Sequence, residues 1–352
     1  MSAEAEPDFS RYVRQMRYAP IGEAGQQRLQ DSRVLICGCG ALGSVVANTL
    51  ARAGVGHLRI VDRDFVDLSN LQRQVLYDEA DVEALRPKAI AAAAKLRAIN
   101  SGICIEPIVA DIDSSNILEL CRDIDLILDG TDNFETRFLI NDAAAQLGLP
   151  WVFGGCVGAE GQVLAILPGG PPCLRCLMPE PPPADSLPTC DSAGVIASIV
   201  QIVASMQACE AIKLLVGDLA SLSRELVLVD LWKNSTRRIR LDQLRNGAGC
   251  PTCRREEFPW LAGTRTSQTA VLCGRNAVQI SAAGIDRTDG KISLETLAER
   301  LNGVGTVTRT PYLLRLAVGE YLLTIFPDGR AIIGGTEDPV VARTLYARYA
   351  GG

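Results

Sequence analysis

A chain of 352 residues, 47% of them hydrophobic, can bury a large core, and its length is compatible with two domains. The formal net charge of −6 at pH 7 argues against a nucleic-acid partner, because binding a phosphodiester backbone requires a basic surface. The acidic first residues contain no apolar signal segment, and the 12 cysteines are then typical of a reducing compartment. We expect a cytoplasmic protein that binds neither nucleic acid nor a membrane.

The chain contains a single histidine, His57, at the start of the predicted strand HLRIVD. Nothing near it in the sequence suggests a base or a metal ligand, so we expect an incidental residue at a strand edge. This scarcity disfavours Ser-His-Asp hydrolysis, histidine-assisted hydride transfer and histidine-rich zinc catalysis. We expect chemistry that needs no imidazole.

Short apolar runs alternate with helical patterns in the first part of the chain, which is typical of βαβ units and a mostly parallel sheet. The predicted strands are residues 33–38, 57–62, 104–109 and 125–130, and the predicted helices lie near residues 41–53, 87–99, 114–122 and 133–147. The following segment, WVFGGCVGAEGQVLAIL, places two apolar runs around a glycine-rich turn. It predicts an antiparallel extension of the sheet.

A proline-rich loop at residues 168–190 leads to an apolar segment, Gly194–Cys209, which is too short to span a bilayer and is expected to form a buried helix. Two further strands are predicted in ELVLVDLW and RRIRL. We predict an α/β fold with a Rossmann-like, doubly wound, mostly parallel sheet and an antiparallel extension in a domain of residues 1–262.

The last part of the chain has a pattern of its own, with a predicted helix at residues 293–302, the hairpin YLLRLAVGEYLLTIF and a terminal helix at residues 338–349. Strands and helices here are not in βαβ alternation. We predict a small α+β domain at residues 263–352.

The first predicted strand runs into Gly38-x-Gly40-x-x-Gly43, and Asp62 ends the second strand. Glycines at this spacing permit a tight turn and the approach of a phosphate to a helix N-terminus, and an acid about 20 residues further on can bind a ribose. The motif alone is weak. It leaves open whether the ligand is a nicotinamide dinucleotide or another nucleotide.

The segment DRDFVDLSNLQRQ (62–74) is rich in polar residues. In a nicotinamide enzyme this position is usually an ordinary helix without such a cluster. A polar surface loop is the alternative interpretation. The residues that favour a binding site over that alternative are Asp64, Asn70, Arg73 and Gln74.

Lys88 follows Pro87 at the predicted start of a helix, where a cation opposes the helix dipole unless an anion lies nearby. A polyphosphate is the simplest such anion. Asp132, after the fourth strand, is expected at the same edge of the sheet, as a magnesium ligand or as a helix N-cap.

Together these residues resemble the ThiF/MoeB/HesA family of adenylyltransferases. Members of this family activate sulfur carrier proteins and are related to the ubiquitin-activating enzymes. The resemblance covers roughly residues 9–255. Ala41 stands where many members carry glycine, but its backbone N–H remains available to a phosphate. The matching motifs are RYVRQ, GCGALG (38–43), Asp62 with SNLQRQ (69–74), Lys88, GTDN (130–133), two CxxC pairs, Thr189-Cys190 and MQACEAIK (206–213).

This resemblance implies adenylylation by MgATP of the C-terminal glycine carboxylate of a small ubiquitin-like sulfur carrier protein, with release of pyrophosphate. It implies that Arg73 and Lys88 stabilise phosphate charge, that Asp132 holds magnesium, and that Arg14 reaches into the partner subunit of a homodimer. A sulfurtransferase or a cysteine desulfurase is a further expected partner. The implied nucleotide-binding residues are Gly38, Gly40, Ala41, Gly43, Asp62, Asp64, Ser69, Asn70, Leu71, Gln72, Arg73, Gln74, Lys88, Asp132 and Asn133.

Two cysteine pairs, Cys173-x2-Cys176 and Cys250-x2-Cys253, predict a four-thiolate zinc site that is structural because all four ligands are protein sulfurs. The 73 residues between the pairs exceed the spacing of a zinc finger, but a helix and strands can return the chain to its starting point. Unrelated thiols or a redox site are the alternative.

Cys190 precedes the apolar helix and matches the family position of a thiol that takes up the activated carrier or its sulfur. A thiolate close before a helix start is stabilised, and a loop position allows movement. The alternative is a small buried hydrophobic residue.

The chain ends in Gly351-Gly352, the kind of tail that such enzymes activate, so a fused carrier domain is one interpretation. A predicted helix directly precedes these glycines, whereas a carrier tail follows a strand, so an accessory domain that recognises the carrier is preferred. An NAD(P)-dependent oxidoreductase and a non-catalytic nucleotide-binding module are the alternative functions. The carrier and its pathway, whether thiamin, molybdopterin, tRNA thiolation or cysteine synthesis, stay open.

Overall fold

The computed structural model describes residues 9–182, 193–245, 249–265, 269–272, 276–280 and 292–351. These residues form two compact units. The first contains the described residues up to 182 together with Gly194–Thr264, and the second contains the described residues from Arg265 onward.

The first unit is built on an eight-stranded mixed sheet with the order β3-β2-β1-β4-β5-β6-β7-β8. Neighbouring strands are parallel from β3 to β5 and antiparallel from β5 to β8. The strands are β1 (Arg33–Cys37), β2 (His57–Val61), β3 (Cys104–Ile108), β4 (Leu126–Asp129), β5 (Trp151–Val157), β6 (Glu160–Ile166), β7 (Glu225–Asp230) and β8 (Ser235–Arg240).

Helices cover both faces of this sheet. The helices of the first unit are α1 (Val13–Met16), α2 (Gly22–Asp31), α3 (Ala41–Ala53), α4 (Glu79–Glu83), α5 (Lys88–Ile99), α6 (Ile117–Leu120), α7 (Phe134–Leu147), α8 (Leu174–Leu177), α9 (Ala197–Val216), α10 (Asp242–Arg245) and α11 (Pro251–Arg255).

Two hydrophobic cores lie on opposite faces of the sheet because successive strand side chains point in opposite directions. In β1, Val34 and Ile36 join the core formed with α3, α5 and α9, whereas Leu35 and Cys37 join the core formed with α6 and α7. Apolar residues on both faces produce the continuous hydrophobic runs that marked the parallel strands in the sequence.

The prediction that the apolar segment is too short to span a bilayer was wrong about its length, because helix α9 continues to Val216. It is the one helix of the described residues that is long and apolar enough to cross a membrane. Half of its apolar window is buried within the protein. It packs against α3 and lies close over the sheet, since a Cβ added at Gly161 would lie 2.3 Å from a Val203 methyl carbon. Its apolar composition therefore serves the core of the first unit.

The second unit is a six-stranded antiparallel sheet with the order β11-β12-β13-β14-β10-β9. Side chains of two helices share its hydrophobic core. The elements are β9 (Thr269–Leu272), β10 (Ala277–Ile280), α12 (Leu294–Arg300), β11 (Thr306–Arg309), β12 (Leu314–Val318), β13 (Tyr321–Ile325), β14 (Ala331–Gly334) and α13 (Pro339–Tyr349).

The predicted α/β class is confirmed, with a mixed sheet and a second antiparallel sheet. One local prediction was too long, because the helix expected at residues 114–122 is the single turn α6. Helices α2 and α4 were not predicted. α2 is strongly polar in composition, and α4 has five residues, too few to show a periodic pattern.

Candidate active site at the carboxyl edge of the sheet

The strand order reverses direction between β1 and β4, the position at which doubly wound sheets bind ligands. Three glycines bring the loops after these two strands into backbone contact. A Cβ added at Gly43 would lie 1.9 Å from the Gly38 carbonyl oxygen, and one added at Gly130 would lie 2.5 Å from the same oxygen. These positions require glycine for the close packing of α3, β1 and β4.

Gly40 differs from these glycines because space remains beside it. A Cβ added there would meet only the Gln74 amide nitrogen, at 3.8 Å. Gly40 is the N-cap of α3, and the helix start makes no side-chain capping bond. The open backbone N–H groups of this helix start suit an anion such as a phosphate.

Asp62, at the end of β2, is hydrogen-bonded to the glycine loop, which is formed by residues 38–43. Its carboxylate accepts hydrogen bonds from the Cys39 N–H at 2.6 Å and from the Asp64 N–H at 2.7 Å. Burial raises the pKa of Asp62, and the nearby Lys88 ammonium opposes that rise. A carboxylate has about four acceptor positions, so two remain for ribose hydroxyls.

Lys88 is buried at the first residue of α5, and its Nζ lies 3.0 Å from the Asp64 carboxylate. Its backbone N–H also donates to the Asp64 carbonyl oxygen. The anion beside this cation is therefore a protein carboxylate, which the helix-dipole argument from the sequence did not identify. The pair places a cation and an anion side by side, within reach of the glycine loop.

The SNLQRQ segment forms a tight turn whose own side chains hold it. Asp67 accepts from the Ser69 N–H at 2.9 Å, and Asn70 Oδ1 accepts from the Asp67 N–H at 3.2 Å. Arg73 is half-buried and donates to the Ser69 carbonyl oxygen at 3.0 Å. Leu71 is half-buried and packs against the core of α3, α5 and α9. The turn therefore holds the Arg73 guanidinium without support from the sheet.

Gln72 and Gln74 point to different surroundings from this turn. Gln72 is exposed and its amide lies 3.5 Å from the Val195 carbonyl oxygen. Gln74 is buried, and its side-chain carbonyl oxygen has no hydrogen-bond partner among the described residues. A buried acceptor beside the open Gly40 position fits a ligand that donates a hydrogen bond.

Asp132 and Asn133 follow β4, and the structure distinguishes the helix-capping residue from the residue that is free to bind magnesium. Asn133 is the N-cap of α7, and its side-chain oxygen accepts from the Thr136 N–H at 2.8 Å. The capping alternative for Asp132 is therefore wrong. The Asp132 carboxylate is exposed, and its negative charge, after those of Asp111 and Asp64, raises the pKa of the partly buried Arg63. Carboxylate oxygen is the donor that magnesium prefers, so Asp132 fits that ion.

The four cysteines of the CxxC pairs lie together, with all four sulfur atoms within 4.8 Å of one another. The Sγ–Sγ distances are 3.9 Å from Cys173 to Cys176, 3.6 Å from Cys173 to Cys250 and 3.5 Å from Cys176 to Cys253. Four sulfurs about 2.3 Å from a tetrahedral zinc lie about 3.8 Å apart. The cluster fits a structural zinc ion.

Two thiols of this cluster have raised pKa values. Contact with the Cys176 thiol and burial raise the pKa of Cys173. Burial, together with neighbouring thiols, raises the pKa of Cys253 to about 12. Zinc binds thiolates, so an ion held by these four cysteines would supply the positive charge that stabilises their deprotonated forms.

Comparison with known proteins assigns the chain to a family. The model of the ThiF family matches residues 12–252. The chain is 44% identical over 346 residues to the sulfur carrier protein ThiS adenylyltransferase of Bacillus subtilis, covering 97% of this chain and 99% of that protein. The chain belongs to the ThiF family. It is also 41% identical over 251 residues to the sulfur carrier protein adenylyltransferase of Thermus thermophilus, covering 70% of this chain and 91% of that protein.

The fold of this ThiF-family chain also resembles a solved structure, E. coli MccB with ATP. The TM-score is 0.60 at 21% identity, and the match covers 70% of this chain and 75% of that chain. At this identity the likeness concerns the fold alone.

One of the residues implied by the ThiF-family resemblance lies away from the others. Arg14 is exposed on α1, and its neighbour Gln15 donates to the Ala53 carbonyl oxygen at the C-terminal end of α3. The glycine loop lies at the other end of α3, about 20 Å away at 1.5 Å per residue. Arg14 therefore does not meet the site of its own chain. Cys190 lies outside the described residues.

Sequence analysis did not identify the buried residues that support the end of β4, next to the candidate site. The buried Asp129 at the end of β4 pairs with Arg137 of α7, and Gln207 of α9 donates to the Asp129 carbonyl oxygen. Gln207 was noticed only as part of the ThiF-family motif MQACEAIK. No sequence pattern marked Arg137, because Asn141 and Asp142 of the same helix are also buried polar residues.

Proposed function

We propose that this chain is an ATP-dependent adenylyltransferase that transfers AMP to the C-terminal glycine carboxylate of a small ubiquitin-like sulfur carrier protein. The observation that carries the proposal is the similarity along nearly the whole chain to a ThiS adenylyltransferase. The carboxylate oxygen attacks the α-phosphorus of ATP, and pyrophosphate leaves. The site at the carboxyl edge of the sheet supports this reaction because it combines an open helix start, two cations and carboxylates.

This reaction suits a site that contains no histidine. A C-terminal carboxylate has a pKa of about 3.5 and is ionised at neutral pH, so it needs no general base. The single histidine, His57, pairs with Glu106 at 2.8 Å and begins β2, at the opposite end of that strand from the site. Catalysis then depends on positioning and on stabilising charge at the phosphate.

In this proposal Asp62 and Asn70 hold the nucleoside, and Arg73 and Lys88 stabilise the negative charge of the phosphates. Magnesium held by Asp132 neutralises phosphate charge. Zinc held by the four clustered cysteines is structural. The remaining residues proposed to line the nucleotide site are Gly38, Gly40, Ala41, Gly43, Asp64, Ser69, Leu71, Gln72, Gln74 and Asn133.

We assign the adenylyltransferase domain to residues 1–262 and a homodimer to the active form. Arg14 is exposed and distant from the site of its own chain, which supports a role in the site of a partner subunit. A sulfurtransferase or a cysteine desulfurase, acting with the enzyme in the cytoplasm, would supply sulfur to the activated carrier.

The domain of residues 263–352 is proposed to help recognise the carrier. The end of the described chain supports this over a fused carrier tail. The Gly351 N–H donates to the Tyr346 carbonyl oxygen of α13 at 2.9 Å, and a Cβ at Gly351 would lie 2.8 Å from the Ala347 carbonyl oxygen. Gly351 therefore closes a helix, whereas a tail that enters an active site must be extended.

Exchange of labelled pyrophosphate into ATP tests the proposed function. We expect exchange when a ubiquitin-like sulfur carrier ending in Gly-Gly is added, because only then is a carboxylate present at the α-phosphate. A carrier that lacks its last glycine is the control and should support none. Exchange by the enzyme alone, with AMP attached to Gly352 in the intact mass, would instead show that the chain is its own substrate.

Cys190 is proposed to take up the activated carrier after adenylylation. Its thiolate attacks the carbonyl carbon of the acyl-adenylate, a thioester forms, and AMP leaves. We expect Cys190→Ser to keep carrier-dependent pyrophosphate exchange, which precedes this step, and to lose a carrier adduct that thiol reagents cleave. Sulfur transfer in a reconstituted assay should fall with the adduct. Cys104→Ser, at an exposed cysteine on β3, is the control and should retain both. Sulfur delivery by Cys190→Ser at the wild-type rate would contradict a covalent role.

A further inference from the structure

A buried carboxylate lies directly behind the loop that carries Asp132. Asp129, fully buried at the end of β4, accepts from the Thr131 N–H at 2.9 Å and from the Thr131 hydroxyl at 2.6 Å. Its second carboxylate oxygen accepts from Arg137 Nε at 3.0 Å. A buried charge is stable only when it is paired and hydrogen-bonded, and Asp129 meets both conditions.

Arg137 joins this carboxylate to the loop and to the neighbouring strand. One guanidinium nitrogen donates to the Thr131 carbonyl oxygen at 2.8 Å and to the Gly154 carbonyl oxygen at 3.0 Å. The guanidinium also contacts the rings of Phe134 and Phe153, at 5.4 and 5.1 Å from their centroids. The N–H, carbonyl and hydroxyl of Thr131 are therefore all bound by one buried ion pair.

Gln207 of α9 holds the same strand end from the other face of the sheet. Its amide nitrogen donates to the carbonyl oxygens of Asp129 at 2.8 Å and Val152 at 3.3 Å. Gly154 leaves the space for this side chain, since a Cβ there would lie 2.4 Å from the Gln207 amide carbon. The glutamine of MQACEAIK thus has a structural reason to be present.

We propose that Asp129, Arg137 and Gln207 form a positioning network that fixes Thr131 and so sets the direction of the next residue, Asp132. The inference rests on the proposed function, in which Asp132 holds magnesium. Because Asp132 itself is exposed, packing does not fix its position. The rigid Thr131 peptide supplies that constraint, as hydrogen bonds to metal ligands do in other sites.

Arg137→Lys tests the network, because lysine keeps the charge and loses the planar, multiple-donor geometry. Arg59→Lys is a matched control. Arg59 pairs with Glu106 through Nε at 2.8 Å and donates to the Leu120 and Arg122 carbonyl oxygens at 2.8 and 3.0 Å, so it makes the same kinds of bond. Arg59 lies on β2 and its partner Glu106 lies on β3, and neither contacts Thr131 or Asp132 among the bonds that the structure describes.

For Arg137→Lys we expect the magnesium concentration for half-maximal exchange to rise about tenfold, with a smaller change in the KM for ATP. Manganese affinity, followed by electron paramagnetic resonance with a non-hydrolysable ATP analogue, should fall by a similar factor. Arg59→Lys should leave both values unchanged. The manganese measurement needs no carrier, so it separates failure of the network from failure of the proposed reaction.

Wild-type metal dependence in Arg137→Lys, with no more effect than Arg59→Lys, would overturn the inference. Thr131→Val provides a second variant if Arg137→Lys does not fold. It removes the hydroxyl that donates a hydrogen bond to Asp129 and leaves the ion pair of Asp129 with Arg137 in place. A several-fold loss of manganese affinity is expected for Thr131→Val, and unchanged affinity would count against the network.

Discussion

Arg73→Ala is expected to slow carrier-dependent exchange of pyrophosphate into ATP about a hundredfold. Loss of a charged contact to a transferring phosphoryl group commonly costs about 3 kcal/mol of transition-state stabilisation. The fold should be unaffected, because the guanidinium is bound only to the Ser69 carbonyl oxygen of its own turn among the bonds that the structure describes. Initial rates of exchange at saturating ATP and carrier measure the effect.

Arg52→Ala is the control for this substitution. Arg52 is exposed near the C-terminal end of α3, where its Nε donates to Asn48 Oδ1 at 3.0 Å. We expect wild-type exchange from this variant. Circular dichroism and zinc content should match the wild type for both variants, and exchange by Arg73→Ala at the wild-type rate would remove Arg73 from the proposed mechanism.

Cys250→Ser is expected to abolish zinc binding and to lower the melting temperature. The wild-type protein, purified without chelators, should contain one zinc ion per chain by elemental analysis. Loss of the site should cost about 3 kcal/mol or more, which lowers the melting temperature of a domain of this size by roughly 6 to 12 °C. The expected cause is that the three remaining cysteines would lose the ion that is proposed to join α8 to α11.

Cys209→Ser gives the matched control, since Cys209 is an exposed cysteine on α9 outside the cluster. It should retain zinc and the wild-type melting temperature. Zinc-free protein in a fresh preparation would refute the assignment. Equal zinc content in Cys250→Ser and wild type would place the metal elsewhere.

The cluster is well connected to the candidate site through α7. The Asn141 side chain accepts from the Leu174 N–H at 2.9 Å, and Asp142 accepts from the Thr252 hydroxyl at 3.1 Å. The same helix begins at the Asn133 cap beside Asp132. A structural metal bound by the cysteine cluster would therefore support one end of the helix that begins beside the proposed magnesium ligand.

Strand and helix positions followed from local patterns in this chain. The predicted helix at residues 41–53 matches α3, and the hairpin predicted in YLLRLAVGEYLLTIF is the antiparallel pair β12 and β13. Periodic burial produces these patterns, so neighbouring residues carry the information. α6 was predicted too long because the apolar pattern of Ile117 and Leu120 continues to Cys121, which forms a turn after the helix.

Candidate site residues were found where a motif has a fixed local geometry. Gly43 must be glycine because it contacts Gly38 within one loop, Gly38 has a positive φ, and the CxxC spacing already suits a metal. Local arguments selected Arg73, Lys88 and Asp132 as candidates, and the family resemblance supplied their chemical roles, which remain predictions. No local pattern showed whether Asp132 is a magnesium ligand or an N-cap, because both kinds of residue occur between the end of a strand and the start of a helix.

Contacts between distant segments required the folded chain. The cysteine pairs meet because the chain between them returns to its starting point, and Lys88 meets Asp64 because α5 begins beside the loop after β2. The same holds for Arg137 and Gln207, which reach Asp129 from opposite faces of the sheet. The spacing of residues along the chain determines which side chains share a face of a helix or strand. Which group a buried polar side chain binds depends on how the helices and strands pack in the folded chain.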